Sequence, residues 1–481
     1  MLSAASSVCS DLADEATPHR GGYRPDPYMN RSSTHLLIIG GGPAGTQAAT
    51  TAAARGATVT LVEKDLIGGA AHLWDCIPSK TMAASALRHT SVRNAAKLGL
   101  VTDPGKIDTD VLSSRIKDIT EDIHHNWVRM LASQNVRTID GFGRFAGPNT
   151  AEVTASDGTV ASIEFDRAMI STGSAPRVPE WAPVDGKKVL TTRHCYDLGL
   201  IPEHLVVIGS GVTGVEFVHI FESIGSKVTL VVSRQQILPH RDAEVAAVLE
   251  EGFIERGVKL VIGARAESII VEGDEVVVAC NDGRVIRGSH ALLAVGSVPL
   301  TEGLGLDAAG IESDHGYVTV DEYQRTSVPH IYAAGDVTGQ MPLSSVASMQ
   351  GRKIARHALG LPVEPLDYDK VAEAIFTEPE IASVGLAEVD AAAQGRKVRT
   401  TKVPFASNAR SVLQFYTRGF VKVISDPATG VVLGGTIVGH RASELIGVVA
   451  LAVQAGVTSN TLVNTLMVHP SMTEAITDAA E

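Results

Sequence analysis

Two strand–turn–helix–strand units, one near residue 40 and one near residue 209, constrain this chain more than anything else in its sequence. The first opens with the apolar run THLLIIG, which reads as a strand buried on both faces of a parallel sheet. It continues through Gly40, Gly42 and Gly45 in G-x-G-x-x-G spacing, a helix-like TQAATTAAARG, and a second strand ATVTLVE that ends at Glu63. The second unit, LVVIGSGVTGVEF followed by SKVTLVV, repeats the pattern with Gly209, Gly211 and Gly214. Glycines so placed permit a tight turn and let a pyrophosphate come close to the helix N-terminus. An acidic residue ending the second strand can hold a ribose hydroxyl. One such match is a weak signal. Two in the same strand–helix–strand context predict two dinucleotide-binding units and an α/β fold.

The 481 residues leave room for about three domains. Residues 105–135 carry helical patterning, whereas RTIDGFGRF and AEVTASDGTVASIEF alternate like small antiparallel strands. ALLAVGSVP and HIYAAGDVTG read as further short buried strands, and from about residue 347 a mixed pattern predicts a third domain. With 41 basic against 54 acidic residues and no Lys/Arg-rich run, a nucleic-acid partner is not expected. Four cysteines without close spacing (Cys9, Cys76, Cys195, Cys280) argue against a disulfide scaffold or a metal site and fit the reducing cytoplasm. No apolar run approaches the ~20 residues that cross a bilayer, so the chain is not expected to be integral to a membrane. Residues 1–33 are expected to be a disordered extension without signal-peptide character, with Met29 as an alternative start.

Between the two units lies GGAAHLWDCIPSK, residues 68–80. It resembles the redox-active segment of the flavoprotein disulfide reductases, GG-x-C-x4-C-x-PSK, with Cys76 at the second cysteine and Ala71 at the first. A lone thiol cannot close that disulfide. STGSAP (171–176), AVGSVP (294–299), TSVPHIYAAGD (326–336), FTEPEIASVG (376–385) and HPSMTE (469–474) follow in the same order as in that family, from about Thr34 to Thr477. The chain is thus similar to the two-dinucleotide-binding-domain flavoproteins typified by dihydrolipoamide dehydrogenase and glutathione reductase. Within them it is most similar to the actinobacterial NAD(P)H:quinone reductases, which carry the GGAA variant.

The resemblance implies two Rossmann-like domains plus a C-terminal α+β dimerisation domain. It divides the chain into an FAD-binding domain (34–160 and 283–346), an NAD(P)-binding domain (161–282) and an interface domain (347–481) that makes a homodimer. FAD would lie on Gly40, Gly42, Gly45, Glu63, Lys80, Gly173, Gly335 and Asp336, with Asp336 at the ribityl chain. NAD(P)H would lie on Gly209, Gly211, Gly214, Ser233, Arg234 and Gly296. Lys80, one helical turn after Cys76, matches a lysine that pairs with a glutamate, here Glu216, beside the reactive flavin nitrogen. A cation there stabilises charge on the reduced ring. His469 and Glu474 match the family's base and its orienting carboxylate, read here as the source of a proton for a quinone oxygen; a purely structural pair is the alternative. For Cys76 two readings stand, a redox-active thiol and a small residue kept for packing.

After the second unit's last strand come Ser233 and Arg234 rather than a carboxylate, so NADPH is expected to serve at least as well as NADH. The activity implied is hydride uptake from NAD(P)H and two-electron reduction of a quinone or other small acceptor. The alternatives are a soluble pyridine nucleotide transhydrogenase, a dihydrolipoamide dehydrogenase-like enzyme, a single-cysteine peroxidase or oxidase, and a non-catalytic flavin redox sensor. His72 and Trp74, in the altered segment, are either pocket-lining residues or helix packing.

Overall fold

A computed structural model describes residues 34–103 and 105–481; the expected N-terminal extension, Met29 and Cys9 lie outside the described residues. Each predicted glycine unit forms the heart of its own sheet. In the first, His35–Ile39 pairs in parallel with Thr58–Glu63 on one side and Arg167–Ile170 on the other, and Ile331–Ala333 extends the sheet beyond 167–170. Leu36 to Ile39 are all buried: Leu36 and Ile38 pack among helix residues such as Ala48 and Ile354, Leu37 and Ile39 among strand residues such as Phe145 and Val153. Arg137–Gly147 begins parallel to 58–63 and then turns into an antiparallel meander with Thr150–Ala155 and Val160–Glu164. At Gly141 the meander passes so close that a Cβ would sit 2.3 Å from the Thr154 carbonyl oxygen.

The second sheet is wholly parallel, in the order 259–262, 227–232, 204–208, 290–293, 189–191. A three-stranded antiparallel sheet (266–272, 275–280, 285–288) accompanies it. The third large sheet is antiparallel, Glu373–Ile375, Glu380–Gly385, Val432–Gly439, Phe420–Ser425 and Arg399–Pro404 in that order, with Ala442–Ala455 packed on it.

These pairings move three expected boundaries. Strand 167–170 belongs to the first sheet, not to the unit expected from residue 161. Strand 290–293 belongs to the second sheet, not to the segment expected to return at 283. Helix Ser344–Ala358, expected to open the third unit at 347, packs on the first glycine unit's helix, Pro43–Ala53; a Cβ on Gly351 would meet the Ala44 carbonyl oxygen at 2.1 Å. The two strands are short and mostly apolar, and all three elements have partners distant in sequence, so local pattern cannot assign them.

Candidate active site

The two glycine turns are near copies of each other. Gly40 and Gly209 have φ of 109° and 112°, open to glycine at no steric cost. A Cβ on Gly45 would meet the Gly40 carbonyl oxygen at 2.0 Å, and one on Gly214 the Gly209 oxygen at 1.8 Å. Helices Pro43–Ala53 and Val212–Ile224 follow, with Gly42 and Gly211 at their N-caps and no side-chain capping bond at either end. Among the described residues no side chain caps either N-terminus (Pro43 itself has no amide hydrogen), which leaves first-turn amides for a pyrophosphate. Among the described residues nothing stands within 4 Å of a Cβ on Gly173, Gly211 or Gly296, so the backbone is open to close approach there. Glu63 is buried and accepts from the Gly41 amide (2.5 Å) and the Asp65 amide (2.9 Å). Burial pushes its carboxyl pKa up against these bonds. It therefore braces the first turn, and each oxygen keeps a lone pair for a ribose.

Lys80 and Glu216 meet, although 136 residues apart. Lys80 Nζ donates to Glu216 Oε2 at 2.8 Å, and the Phe376 amide donates to Glu216 Oε1 at 2.9 Å. The Lys80 ammonium also lies 4.9 Å from the Phe376 ring centroid. The Glu216 side chain is 6% exposed and that of Lys80 33%. Cys76 begins helix Cys76–Arg93, is half-buried and has a free thiol. Burial raises its pKa; Lys80 opposes that shift, while Asp75, Glu216 and Asp336 add to it. The site does not hold a ready thiolate.

Asp336 accepts from Ser174 Oγ at 2.7 Å. The preceding Gly335, φ 76°, donates its amide to Gln350 Oε1 at 2.8 Å. Gln350 in turn donates to the Tyr368 hydroxyl, which donates to Gln340 Oε1, each at 2.8 Å. Buried Gln350 and half-buried Tyr368 thus fix the turn that presents Asp336. Neither was singled out by sequence, because a glutamine in a helix and a tyrosine in a turn carry no signal of their partners. Ser233 and Arg234 are exposed at the end of Lys227–Val232, and the Arg234 guanidinium has no partner among the described residues. The glycine cradles, the braced Glu63 and the anchored Asp336 fit a dinucleotide flavin on the first unit, and the second unit offers the same cradle to a nicotinamide dinucleotide.

His469 Nδ1 and Glu474 Oε1 lie 2.7 Å apart, and Glu474 Oε2 accepts from the Ser471 amide at 2.8 Å. The amide bond and then His469 lower the Glu474 pKa. The His469 side chain is 75% exposed, and no contact joins it to Cys76 or Lys80 among the described residues. Sequence reasoning also passed over Asp75, whose carboxyl is pushed up to about 6 by burial, and Arg193, which donates to the Ser174 carbonyl at 3.2 Å. His72 Nδ1 is buried without a partner among the described residues, and Trp74 is 39% exposed with the Arg193 guanidinium 6.0 Å from its ring centroid.

The pyridine nucleotide-disulphide oxidoreductase family profile matches residues 34–351, and the dimerisation domain of the same family matches residues 371–480. An NAD(P)H dehydrogenase (quinone) of Mycobacterium tuberculosis is 44% identical over 459 residues, 93% of each chain. A dihydrolipoyl dehydrogenase of Chlorobaculum tepidum is 34% identical over 449 residues, covering 92% of this chain and 96% of its own. The crystal structure of LpdA from M. tuberculosis superposes with a TM-score of 0.89 at 44% identity, covering 93% of this chain and 99% of that one.

Proposed function

Because the chain belongs to the pyridine nucleotide-disulphide oxidoreductase family, whose members use FAD and NAD(P)H, we propose that it is an NAD(P)H:quinone oxidoreductase working without a redox disulfide. The observation that carries this reading is Ala71 in place of the first thiol beside a complete Lys80–Glu216–Phe376 arrangement. Among the described residues Cys76, Cys195 and Cys280 are all free thiols, the last two buried, so none is paired with Cys76. The M. tuberculosis relative's name supplies the acceptor class. Bound FAD would supply the two-electron carrier between a nicotinamide and that acceptor.

The chain's own residues set up this transfer. The amides at the starts of helices 43–53 and 212–224 hold the two pyrophosphates, Glu63 a ribose, and the Asp336 carboxylate a hydroxyl of the ribityl chain. Lys80, aimed by its bond to Glu216, stabilises negative charge at its tip. Arg234, unpaired and exposed, pairs with a 2′-phosphate, giving NADPH at least equal standing with NADH. The third sheet's unit forms a homodimer: Leu466 and Val468, 98% and 76% exposed, flank His469 with apolar surface that a second copy covers. The exposed, hydrogen-bonded His469–Glu474 pair lies beside that apolar surface. No helix among the described residues is long and apolar enough to cross a membrane; a cytoplasmic enzyme is the matching location.

Anaerobic titration with NADPH tests the reading. Two electrons taken up per FAD, followed by reoxidation with menadione and not with lipoamide, is the expected result. Uptake of four electrons, or brisk lipoamide turnover, would overturn it.

A further inference from the structure

We propose that Asp75 is the acid that protonates the reduced acceptor, placed in the segment from which the first thiol is missing. The proposal rests on the quinone-reductase reading above. Asp75 is the residue before helix Cys76–Arg93, and its backbone carbonyl accepts from Ser79 Oγ at 2.5 Å. Its side chain does not cap the helix and is hydrogen-bonded to nothing among the described residues. Charged and titratable groups face it from three elements. Arg193 and Tyr196 come from the turn after Val189–Thr191, Asp336 from the turn after Ile331–Ala333, and Cys76 and Lys80 from its own helix. Arg193 is fixed by the Ser174 carbonyl, while its Nε and the Tyr196 hydroxyl are buried without partners among the described residues. Two unpartnered polar atoms, a free carboxyl and the partly exposed indole of Trp74 thus surround the same small region, next to the lysine at the site's centre.

A quinone that gains a hydride equivalent (two electrons and one proton) is left as a quinol monoanion, still one proton short. The Asp75 O–H bond breaks, its proton bonds to the anionic quinol oxygen, and the carboxylate recovers a proton from water on the side left open at Trp74. The best acid for this step titrates near the working pH. Burial, with Asp336 adding to it and Arg193 and Lys80 opposing, brings the Asp75 carboxyl to about 6. The Cys76 thiol is pushed upward, away from neutrality. Among the described residues His469 makes no contact with this cluster, its one partner being Glu474.

The test uses flavin-loaded enzyme reduced anaerobically with NADPH and mixed rapidly with menadione or ferricyanide. Asp75→Asn should slow reoxidation by menadione about 10²-fold and leave ferricyanide, which takes electrons and no proton, unchanged. In the parent enzyme the menadione rate should fall as pH rises through about 6. Arg193→Gln keeps the acid and removes an opposing cation, so this fall should move to higher pH. Infrared difference spectra of the oxidised enzyme across the same pH range should show a carboxylic-acid carbonyl band that Asp75→Asn lacks. Parent-like menadione reoxidation in Asp75→Asn, an unmoved limb in Arg193→Gln, or an unchanged infrared band each overturns the proposal. Should Asp75→Asn lose its flavin, the Arg193→Gln limb decides. A parent enzyme bleached by NADPH but inert to menadione refutes the quinone reading itself, and this proposal with it.

Discussion

Glu216 holds two donors from two different parts of the chain, and losing its charge should be measurable apart from any turnover. The perturbation is a double-mutant cycle of Glu216→Gln and Lys80→Met. Glutamine keeps the volume and one acceptor oxygen for the Phe376 amide, but turns an NH2 group towards the Lys80 ammonium. The 2.8 Å bond is charge-assisted, with one partner 6% exposed and the other 33%. Breaking one side of a fully buried pair costs ~3–5 kcal/mol, whereas an exposed pair is worth ~0–1 kcal/mol. With one end buried and the other able to find water, the coupling should fall between these limits, near ~2 kcal/mol, the worth of one hydrogen bond to a charged group. The assay is urea unfolding of the flavin-loaded proteins, followed by far-ultraviolet circular dichroism and by flavin release. Each single variant should lower the midpoint, and the double variant should lose less than the sum. A coupling below ~0.5 kcal/mol, within the scatter of independent sites, would refute the claim that Glu216 holds Lys80 in place.

Arg234→Ala should raise KM for NADPH by at least ~10-fold, about 1.4 kcal/mol, with KM for NADH unchanged; equal effects on both coenzymes would remove Arg234 from the 2′-phosphate site. Lys422, only 1% exposed, places its ammonium among Asp242, Glu244 (2.6 Å) and Glu388 (3.1 Å), tying the third sheet to the helix that follows residue 242. Lys422→Met should therefore cost ~3 kcal/mol in urea unfolding, less than the upper limit because Glu244 keeps Lys402 at 2.6 Å. Adding Asp242→Asn should recover part of that loss, and no recovery would place the cost in packing rather than in an uncompensated charge.

What could be read from the sequence divides along a physical line. The glycine turns were legible because their constraint is local: Gly40, Gly45, Gly209 and Gly214 are excluded to other residues by backbone atoms within their own units or by the adjoining strand. The pairing of Lys80 with Glu216 was legible only by resemblance, since nothing within either helix announces a partner 136 residues away. Strands 167–170 and 290–293 were assigned to the wrong sheets for the same reason, because a run of three apolar residues in a short strand fits either one. Asp75 was the most hidden. In sequence it is an aspartate before a helix, a position that ordinarily reads as a cap, yet its side chain caps nothing. Its character comes from burial and from Arg193 and Asp336, brought in from two different sheets. The altered segment therefore differs from a disulfide reductase by more than the loss of one sulfur. Ala71 removes the electron relay, and the fold sets beside the remaining Cys76 a carboxyl that titrates where a quinol needs its proton.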